Sequence, residues 1–235
     1  MTEPEHPEYC CFDDWAKDSA SRARGRGVGA PITDRFLRAL QARGLAGKSV
    51  LDVGCGAGDL ALGTVARGAE RASGIDLAGE AIVQARTLAS ERGLAERTDF
   101  TVGDGAEAPL ARHDVVALNR VLCCYPRVDR LLANSLGATG SVYAYTAPAH
   151  RGLVGFLNRA WVAIANRWFG IRRKKFRGFR AFVHDLDAID RTIASHGFRE
   201  VHRSRERGIW QLSVFERAGG SAVDAAEGSA SVVGG

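Results

Sequence analysis

The residues with the clearest chemical potential lie in a glycine-rich segment, Val50–Asp59, which reads Val-Leu-Asp-Val-Gly-Cys-Gly-Ala-Gly-Asp. A short apolar run leads into it and a helical pattern follows, which predicts a strand, a tight turn and the start of a helix. Glycine suits a turn where the backbone bends sharply and where a ligand lies against bare peptide. Asp76 ends the next apolar run, where a carboxylate can accept hydrogen bonds from both hydroxyls of a ribose. The pattern predicts a site for a nucleoside-containing ligand.

A dinucleotide is one ligand that such a turn can bind, and its fingerprint requires a third glycine three residues after the second. Counted from Gly54 and Gly56, that position is Asp59. Its carboxylate would lie beside the pyrophosphate and repel it. The segment therefore argues against an oxidoreductase that uses a dinucleotide.

The same residues resemble a different family. The glycine-rich segment, followed by Gly-Ile-Asp-Leu at positions 74–77, is similar to motifs one and two of the class I, Rossmann-like methyltransferases that depend on S-adenosylmethionine. The similarity extends over about Ser49–Glu216. The resemblance implies S-adenosylmethionine as the cofactor and a seven-stranded, mainly parallel sheet whose last strand is antiparallel.

The resemblance also implies which residues contact the methionine half of the cofactor. Gly54, Gly56 and Gly58 would lie against the cofactor, and Asp52 would lie near its methionine amino group. The backbone at Asn119, which ends the fourth predicted strand, would contact the methionine moiety. Asp52 has an alternative role, in which it is buried behind the turn as a partner of the following helix N-terminus.

The ribose and the adenine would be bound at the next two strand ends. Asp76 would hold the ribose with Leu77 beside it, and Asp104, followed by Gly105, matches the acid that accepts from the adenine N6 amine. Asp104 could instead be an ordinary turn residue. Cys55 counts as a cofactor contact through its place in the turn, where we expect a small filler and not a reactive thiol.

The acceptor of the methyl group is expected beyond the carboxyl end of the fourth strand, where this fold places its chemistry. The family's Asn-Pro-Pro-Tyr motif, used for planar amide or base nitrogens, is absent there, which argues against nucleic acid as a partner. The residues predicted to face the acceptor are Arg120, Cys123, Cys124 and Tyr125. A general base helps where the acceptor must lose a proton, and the candidates are Tyr125 and His184, although each could be purely structural.

Short β-like runs alternate with helical segments through the middle of the chain, which predicts a doubly wound α/β sheet with right-handed crossovers. The predicted strands are Ser49–Val53, Arg71–Asp76, Thr98–Val102, Asp114–Leu118 and Ser141–Tyr145, with a hairpin of Glu200–Arg205 and Ile209–Glu216 at the sheet edge. The predicted helices are Ile32–Arg43, Asp59–Arg67, Glu80–Arg92 and Leu186–Ser195. We divide the chain into an N-terminal arm and helix at 1–45, a methyltransferase domain at 46–217, and a small-residue tail at 218–235 that we expect to be disordered.

A helical insertion at 150–184 follows the fifth strand. From Arg130 through His184 the chain has no Asp or Glu but has ten Lys and Arg. The apolar residues that share one helical face are Leu153, Val154, Leu157, Trp161, Ile164, Ala165 and Trp168. This pattern fits a core-facing helix with a solvated basic end, a lid over an acidic, lipophilic acceptor, or a helix at 151–180 that contacts an anionic membrane surface. Nucleic-acid binding by the same basic segment is a further alternative. We favour the lid, which requires Trp161 and Trp168 to be buried.

A looser resemblance concerns the second half of the chain. Thr146-Ala147-Pro148, followed by the basic and apolar insertion and by a C-terminal strand through Trp210, resembles the magnesium-protoporphyrin O-methyltransferase branch. The segment Asn119–Pro126 departs from that branch, so no porphyrin-specific residue is carried over. An acidic, flat or lipophilic acceptor remains open, on oxygen, nitrogen or carbon.

Composition sets wider limits. The net charge of +5 is too small to indicate a nucleic-acid partner by itself. The acidic start, Met1–Asp14, lacks the apolar region of a signal peptide, and the five cysteines match neither a disulfide framework nor a metal site. We therefore expect a cytoplasmic enzyme without a metal that methylates a small molecule. A noncatalytic cofactor-binding or membrane-peripheral module on the same fold is the alternative.

Overall fold

The computed structural model describes residues 31–171 and 179–219. The predicted arm before residue 31, the basic run at 172–177 and most of the predicted tail lie outside the described residues. The described residues form one sheet with helices on both faces. The strands are β1 Ser49–Val53, β2 Arg71–Asp76, β3 Thr98–Val102, β4 His113–Asn119, β5 Thr139–Pro148, β6 Phe198–Glu206 and β7 Trp210–Arg217.

The seven strands lie in the order β3-β2-β1-β4-β5-β7-β6. β1 to β5 pair in parallel, and β7 is antiparallel to both β5 and β6. The predicted doubly wound sheet and its antiparallel last strand are therefore confirmed. The order of the strands reverses at β1: β2 and β3 lie on one side of it, and β4 and the later strands lie on the other. In open α/β sheets, ligands bind beyond the carboxyl ends of the strands at such a point.

The helices follow the strands, and one of them was not identified from the sequence. They are α1 Pro31–Gln41, α2 Asp59–Val65, α3 Gly79–Glu91, α4 Val128–Gly137, α5 Gly152–Ile171 and α6 Leu186–Ser195, with a short 3-10 turn at Ala95–Arg97. The unidentified helix is α4, whose buried Leu131, Leu132 and Leu136 have helical spacing. The other boundaries agree with the prediction or differ from it by at most three residues, as is usual at helix and strand ends.

Two apolar cores lie on the two faces of the sheet, because the side chains of a strand alternate between its faces. In β1, Val50 belongs to the core under α1, α2 and α3, whereas Leu51 belongs to the core under α4 and α6. All five residues of β1 are buried, as expected for the central strand of a parallel sheet. The strand ends that carry the predicted site are therefore held by rigid, well-packed elements.

Helix α5 is oriented opposite to our expectation. Its only buried residues among those described are Gly155 and Asn158, and the apolar face predicted to be covered points outward. Trp161 is 71% exposed and Trp168 is 43% exposed, so the burial required by the lid prediction is wrong for both. The core-facing alternative is contradicted by the same exposure. Periodicity had identified the face correctly but not the direction in which it points.

Within residues 31–171 and 179–219, no helix is both long enough and apolar enough to cross a membrane.

Candidate active site

The glycine turn between β1 and α2 has the backbone conformation that glycine favours. Gly54, Gly56 and Gly58 have φ angles of 72°, 53° and 80°, in the left-handed region that side chains disfavour. The amides of Gly54 and Cys55 donate to the carbonyl of Ile75, at 2.8 and 3.1 Å. These bonds fix the turn against the end of β2.

The three glycines differ in what surrounds them. A Cβ at Gly54 would lie 2.4 Å from the Val121 side chain, and one at Gly58 would lie 2.9 Å from the Phe100 ring. These two glycines are needed for packing as well as for conformation. Within the part of the chain that the structure describes, a Cβ at Gly56 would meet nothing within 4 Å. The described residues therefore leave space for a ligand against the backbone at Gly56.

Cys55 is buried in the turn, and a Cβ at Gly74 would lie 2.8 Å from its sulfur. Burial raises the pKa of the Cys55 thiol well above its usual range, with Asp52 and Asp76 acting in the same direction. The thiol is neutral and inaccessible, which fits the predicted small filler.

Asp76 lies beside the turn at the carboxyl end of β2. Its Oδ2 accepts from the amide of Gly56 at 2.8 Å, and its Oδ1 accepts from the amide of Ala78 at 2.9 Å. The two bonds orient the carboxylate, which as an ionised group offers about four acceptor sites in all. Leu77, which follows, packs against the second apolar core.

Asp52 is 1% exposed and lies behind the turn. Its Oδ2 accepts from the amide of Ala61 in the first turn of α2, at 3.2 Å, while its Oδ1 has no hydrogen-bond partner among residues 31–171 and 179–219. Burial raises the pKa of the Asp52 carboxyl to about 8, with further raising by Asp76 and Asp59. The contact with Ala61 fits the predicted role of Asp52 as a partner of the helix N-terminus. The other predicted role, near the methionine amino group of the cofactor, remains possible through Oδ1.

Asp104 lies after β3 and makes several contacts. Its Oδ1 accepts from the amide of Ala106 at 2.9 Å, and the hydroxyl of Tyr125 lies 2.7 and 2.9 Å from its two oxygens. The Arg127 guanidinium is 3.4 Å away. A Cβ at Gly105 would lie 2.5 Å from Val53, so this glycine is needed for the packing of the loop against β1. Both the turn-supporting and the ligand-binding interpretations of Asp104 remain open.

Tyr125 was predicted to face the acceptor, but its hydroxyl lies on Asp104 instead. The residue is buried. Because its hydroxyl donates its proton to the Asp104 carboxylate, it keeps that proton and is poorly placed to accept another from a substrate. This geometry disfavours Tyr125 as a general base. The contact between Tyr125 and Asp104 was not predicted from the sequence, because the two residues lie in different loops and no spacing rule connects them.

Asn119 is the last residue of β4 and Arg120 follows it, and hydrogen bonds hold both residues in place. Asn119 donates from Nδ2 to Thr33 of α1 at 3.1 Å, and its Oδ1 accepts from the hydroxyl of Thr146 at 2.9 Å. The amide of Arg120 donates to the same hydroxyl at 2.8 Å, and its φ angle is 62°. Left-handed backbone at a residue with a side chain costs about 1–2 kcal/mol and is common at functional sites. The part played by α1 was not anticipated.

Cys123 and Cys124 lie in the loop after β4 and are half-buried. Their sulfurs are 3.1 and 3.8 Å from the carbonyl of Arg120. The hydrogen bond from Cys124 lowers the pKa of the Cys123 thiol, and the Arg120 charge acts in the same direction. That Cys123 and Cys124 face the acceptor of the methyl group remains a prediction.

His184 packs on the same loop. Its Nε2 is 3.2 Å from the carbonyl of Tyr125, and its ring stacks on Phe182 with centroids 5.5 Å apart. Burial lowers the pKa of the His184 imidazole, and hydrogen bonds to the backbone offset this only in part. The imidazole is therefore neutral near pH 7, as a base requires, and its catalytic role remains a prediction.

One further cluster in the described part of the chain has the composition of a metal site. The side chains of His150, Asp185 and Asp187 offer ligand atoms within 4.8 Å of one another. The Arg151 guanidinium is 2.6 Å from Asp187. The Arg151 guanidinium already neutralises the Asp187 carboxylate, so ion pairs within the protein account for this cluster without a metal.

Comparison with known proteins agrees with this geometry. Residues 50–137, which include the glycine turn and the ends of β1 to β4, match a family described as a methyltransferase domain. The chain is 31% identical over 150 residues to the ribosomal protein L11 methyltransferase of Actinobacillus succinogenes, covering 61% of this chain and 51% of that protein. For the same-named protein of Yersinia pseudotuberculosis the identity is 34%, over 59% of this chain and 44% of that protein. The chain spans about half the length of these curated relatives.

Solved structures share the fold over most of the chain. A Synechocystis magnesium protoporphyrin IX methyltransferase with bound S-adenosylhomocysteine is 20% identical, with a TM-score of 0.69, and 90% of this chain covers 98% of that one. An O-methyltransferase family 2 protein from Planctomyces limnophilus is 19% identical, with a TM-score of 0.66, over 88% and 62% of the two chains. Identities this low establish the fold alone.

The strand order and the similar solved structures establish the Rossmann-like methyltransferase fold, and residues 50–137 within it match a methyltransferase domain.

Proposed function

We propose that this protein transfers a methyl group from S-adenosylmethionine to a small lipophilic or acidic acceptor. The observation that carries the proposal is the open space over Gly56, next to a carboxylate at the end of β2 that the turn itself orients. This arrangement combines bare backbone for close approach with an acceptor pair for a ribose.

The residues of the turn and of the neighbouring strand ends fit that cofactor. Gly54 and Gly58 shape the backbone around Gly56, and Asp76 would accept from the ribose hydroxyls. The unpaired Oδ1 of Asp52 is a buried acceptor that can take a hydrogen bond from the methionine ammonium. These are roles for groups that the fold already holds in place, so binding requires little rearrangement.

The adenine would be bound between the loops after β3 and β4. Asp104 would accept from the adenine amine, with Gly105 allowing its loop to pack closely on β1. The backbone at Asn119 would contact the methionine moiety, since its side chain is occupied by Thr33 and Thr146. Tyr125 would act as a positioning residue that orients Asp104.

When bound, S-adenosylmethionine supplies a methyl group on a sulfonium that is displaced in line. The protein's contribution is alignment, which alone can lower a barrier by about 7–11 kcal/mol. The loop after β4, with Arg120, Cys123 and Cys124, would orient the acceptor, and the strained Arg120 backbone supports a functional role for it. His184 would accept a proton from an acceptor that has to lose one.

A protein acceptor is the second candidate, and the names of the curated relatives favour it. It is second because the relatives match only part of this chain and extend over about twice the matched length. An assay must therefore include both kinds of acceptor.

The proposal is tested by titrating the full chain with S-adenosylmethionine, S-adenosylhomocysteine and a nicotinamide dinucleotide in a calorimeter. We expect binding of the first two only. Transfer of a labelled methyl group is then measured on a panel of lipophilic and acidic small molecules and on isolated ribosomal protein L11. Labelled small molecules support the proposal, label on L11 alone would transfer it to a protein acceptor, and binding without transfer to any acceptor would favour a noncatalytic module. Binding of the dinucleotide alone would overturn it.

A further inference from the structure

Helix α5 carries most of the exposed apolar surface of the described residues. Ten large apolar side chains are exposed among the described residues, and seven of these ten lie on α5. The seven are Leu153, Phe156, Leu157, Trp161, Ile164, Trp168 and Ile171. Exposed apolar patches of this kind mark sites of interaction with a membrane or with another protein.

The exposed residues form one continuous face. They recur at steps of three or four, so on a helix with 100° per residue they occupy a sector of roughly 140°. The opposite side is held to the protein by polar groups. Asn158 donates to the carbonyls of Ala149 and Ile209, at 2.8 and 3.0 Å, and Asn166 exchanges two hydrogen bonds with Ala181. The outward direction of the apolar face is therefore specified by the fold.

The charges on α5 itself and on the chain that flanks it in sequence have one sign. No Asp or Glu occurs from residue 130 to residue 184, and Arg159 and Arg167 on α5 are exposed. Arg167 lies just inside one edge of the apolar sector, next to Phe156, and the basic run at 172–175 follows the helix in sequence. A second copy of this chain would bring the same cations to the contact, and like charges across an interface oppose association. An anionic bilayer surface complements both the apolar face and the cations.

We propose that α5 docks this protein on an anionic phospholipid bilayer. The helix lies in the plane of the interface, with its apolar face among the acyl chains and its arginines at the level of the headgroups. The described residues offer no helix able to cross a membrane, so the contact is peripheral. Trp161, 71% exposed on this face, is of the residue type enriched at such interfaces.

Docking in this way also positions the loop after β4. Asn166 of α5 binds Ala181, and the amide of Phe182 donates to the carbonyl of Cys123 at 2.7 Å. The helix and the loop are thus linked through a short chain of contacts. If methyl transfer occurs as proposed, the acceptor is a lipophilic molecule taken from the bilayer; this extension rests on the proposed function, whereas docking itself does not.

The test is flotation of the full chain with vesicles of phosphatidylcholine, either alone or mixed with phosphatidylglycerol. We expect flotation with the anionic vesicles at low salt and its reduction near 1 M salt, where the screening length is only about 3 Å. Tryptophan emission should shift to shorter wavelength on binding, because Trp161 and Trp168 both lie on the apolar face, and the shift should be smaller in Trp161→Phe. Neither readout depends on methyl transfer.

Variants assign the binding to α5. The triple variant Leu157→Ser, Trp161→Ser, Ile164→Ser changes exposed side chains only, so it should fold normally and lose vesicle binding at least tenfold. Arg167→Gln should weaken binding about fivefold, the amount that one cation contributes near an anionic surface. The matched controls are Val83→Ser and Arg92→Gln, exposed residues outside α5, which should bind as the parent does. Circular dichroism confirms that each variant is folded.

Three results would overturn the proposal. The first is absence of vesicle binding at low salt, and the second is binding that the triple variant and its controls share equally. The third is self-association, measured by light scattering, that the triple variant abolishes while vesicles are ignored, because a second copy of the chain would then cover the face.

Discussion

The hydroxyl of Tyr125 lies 2.7 Å from one oxygen of Asp104 and 2.9 Å from the other, and both residues are largely buried. The contact joins the loop after β4, where the acceptor is expected, to the loop after β3, where the adenine is expected. Arg127 joins the same two loops, 3.4 Å from Asp104 and 2.6 Å from Glu107, so a change in one loop is transmitted to the other through these contacts.

Tyr125→Phe removes that donor and leaves the ring in place. We expect the variant to lose about 1–3 kcal/mol of stability and to bind S-adenosylmethionine several times more weakly, because Asp104 is less well oriented. Calorimetry measures the affinity and denaturant unfolding measures the stability. Tyr143→Phe is the matched control, since that buried hydroxyl bonds Ser135 at 2.9 Å in the core and should affect stability alone. Unchanged affinity with a collapsed turnover rate would restore Tyr125 as a base.

Asp104→Asn tests the adenine contact itself. The amide keeps one acceptor oxygen but presents a donor toward the place expected for the adenine amine, and two donors cannot pair. We expect weaker binding of S-adenosylmethionine and no change in affinity for a fragment that lacks the adenine. Equal affinity of variant and parent for the complete cofactor would leave Asp104 as a turn residue.

Asp76→Ala removes the carboxylate predicted to hold the ribose. Loss of hydrogen bonds to a charged group should weaken cofactor binding by about 1–3 kcal/mol, measured by calorimetry. The carboxylate also accepts from the amides of Gly56 and Ala78, so thermal unfolding of the variant must be compared with the parent. Asp99→Ala on the neighbouring β3, an exposed position, is the control and should bind normally. A folded Asp76→Ala protein with parental affinity would refute the assignment.

The orientation of α5, with Asn158 on the buried side and the apolar face exposed, gives a prediction about stability. Asn158→Ala leaves the carbonyl of Ala149 without the Asn158 donor and removes one of two donors to the carbonyl of Ile209, whose other donor is the amide of Ala149. The loss should cost about 1–3 kcal/mol. Leu157→Ala, one position earlier on the exposed face, should change stability by less than about 0.5 kcal/mol. Denaturant unfolding of the two variants compares them directly. A larger loss for Leu157→Ala would mean that the apolar face is covered in solution.

The sequence predicted the sheet well because each strand end carries a local signal. Gly54, Gly56 and Gly58 mark a turn whose φ angles only glycine adopts easily, and the distance to Asp76 reflects the length of one β-α-β unit. The direction of α5 could not be predicted, because periodicity groups Trp161 with Leu157 without indicating what covers them. The contact between Asn119 and Thr33 was equally invisible, since it joins α1 to the end of β4 through tertiary packing.

Asp52 provides a test that depends on pH. Burial raises the pKa of its carboxyl in the folded protein to about 8 from an ordinary value near 3.8, so the folded state binds a proton that the unfolded state has released. The contribution of this group to stability is complete below about pH 4 and is lost as the pH rises toward 8, by at most about 1.4 kcal/mol per pH unit. Asp52→Asn cannot titrate and should lose less stability between about pH 5 and about pH 8.

Asp114 offers a control with the opposite sign. Hydrogen bonds from Ser49 lower the pKa of its carboxyl, so its contribution is present at neutral pH and is lost as the pH falls below about 4. Asp114→Asn should therefore change the acid side of the stability profile and leave the alkaline side as in the parent. Denaturant unfolding at a series of pH values separates the two groups.

The same proton distinguishes the two roles of Asp52. If its unpaired Oδ1 accepts from the cofactor ammonium, binding at pH 7 must release the proton, because the ionised carboxylate then pairs with a cation. Calorimetry in buffers of different ionisation enthalpy should register release of close to one proton by the parent and none by Asp52→Asn. Proton release that is the same in both proteins would assign Asp52 to the support of α2 through Ala61, and would leave the methionine ammonium to the backbone around Asn119.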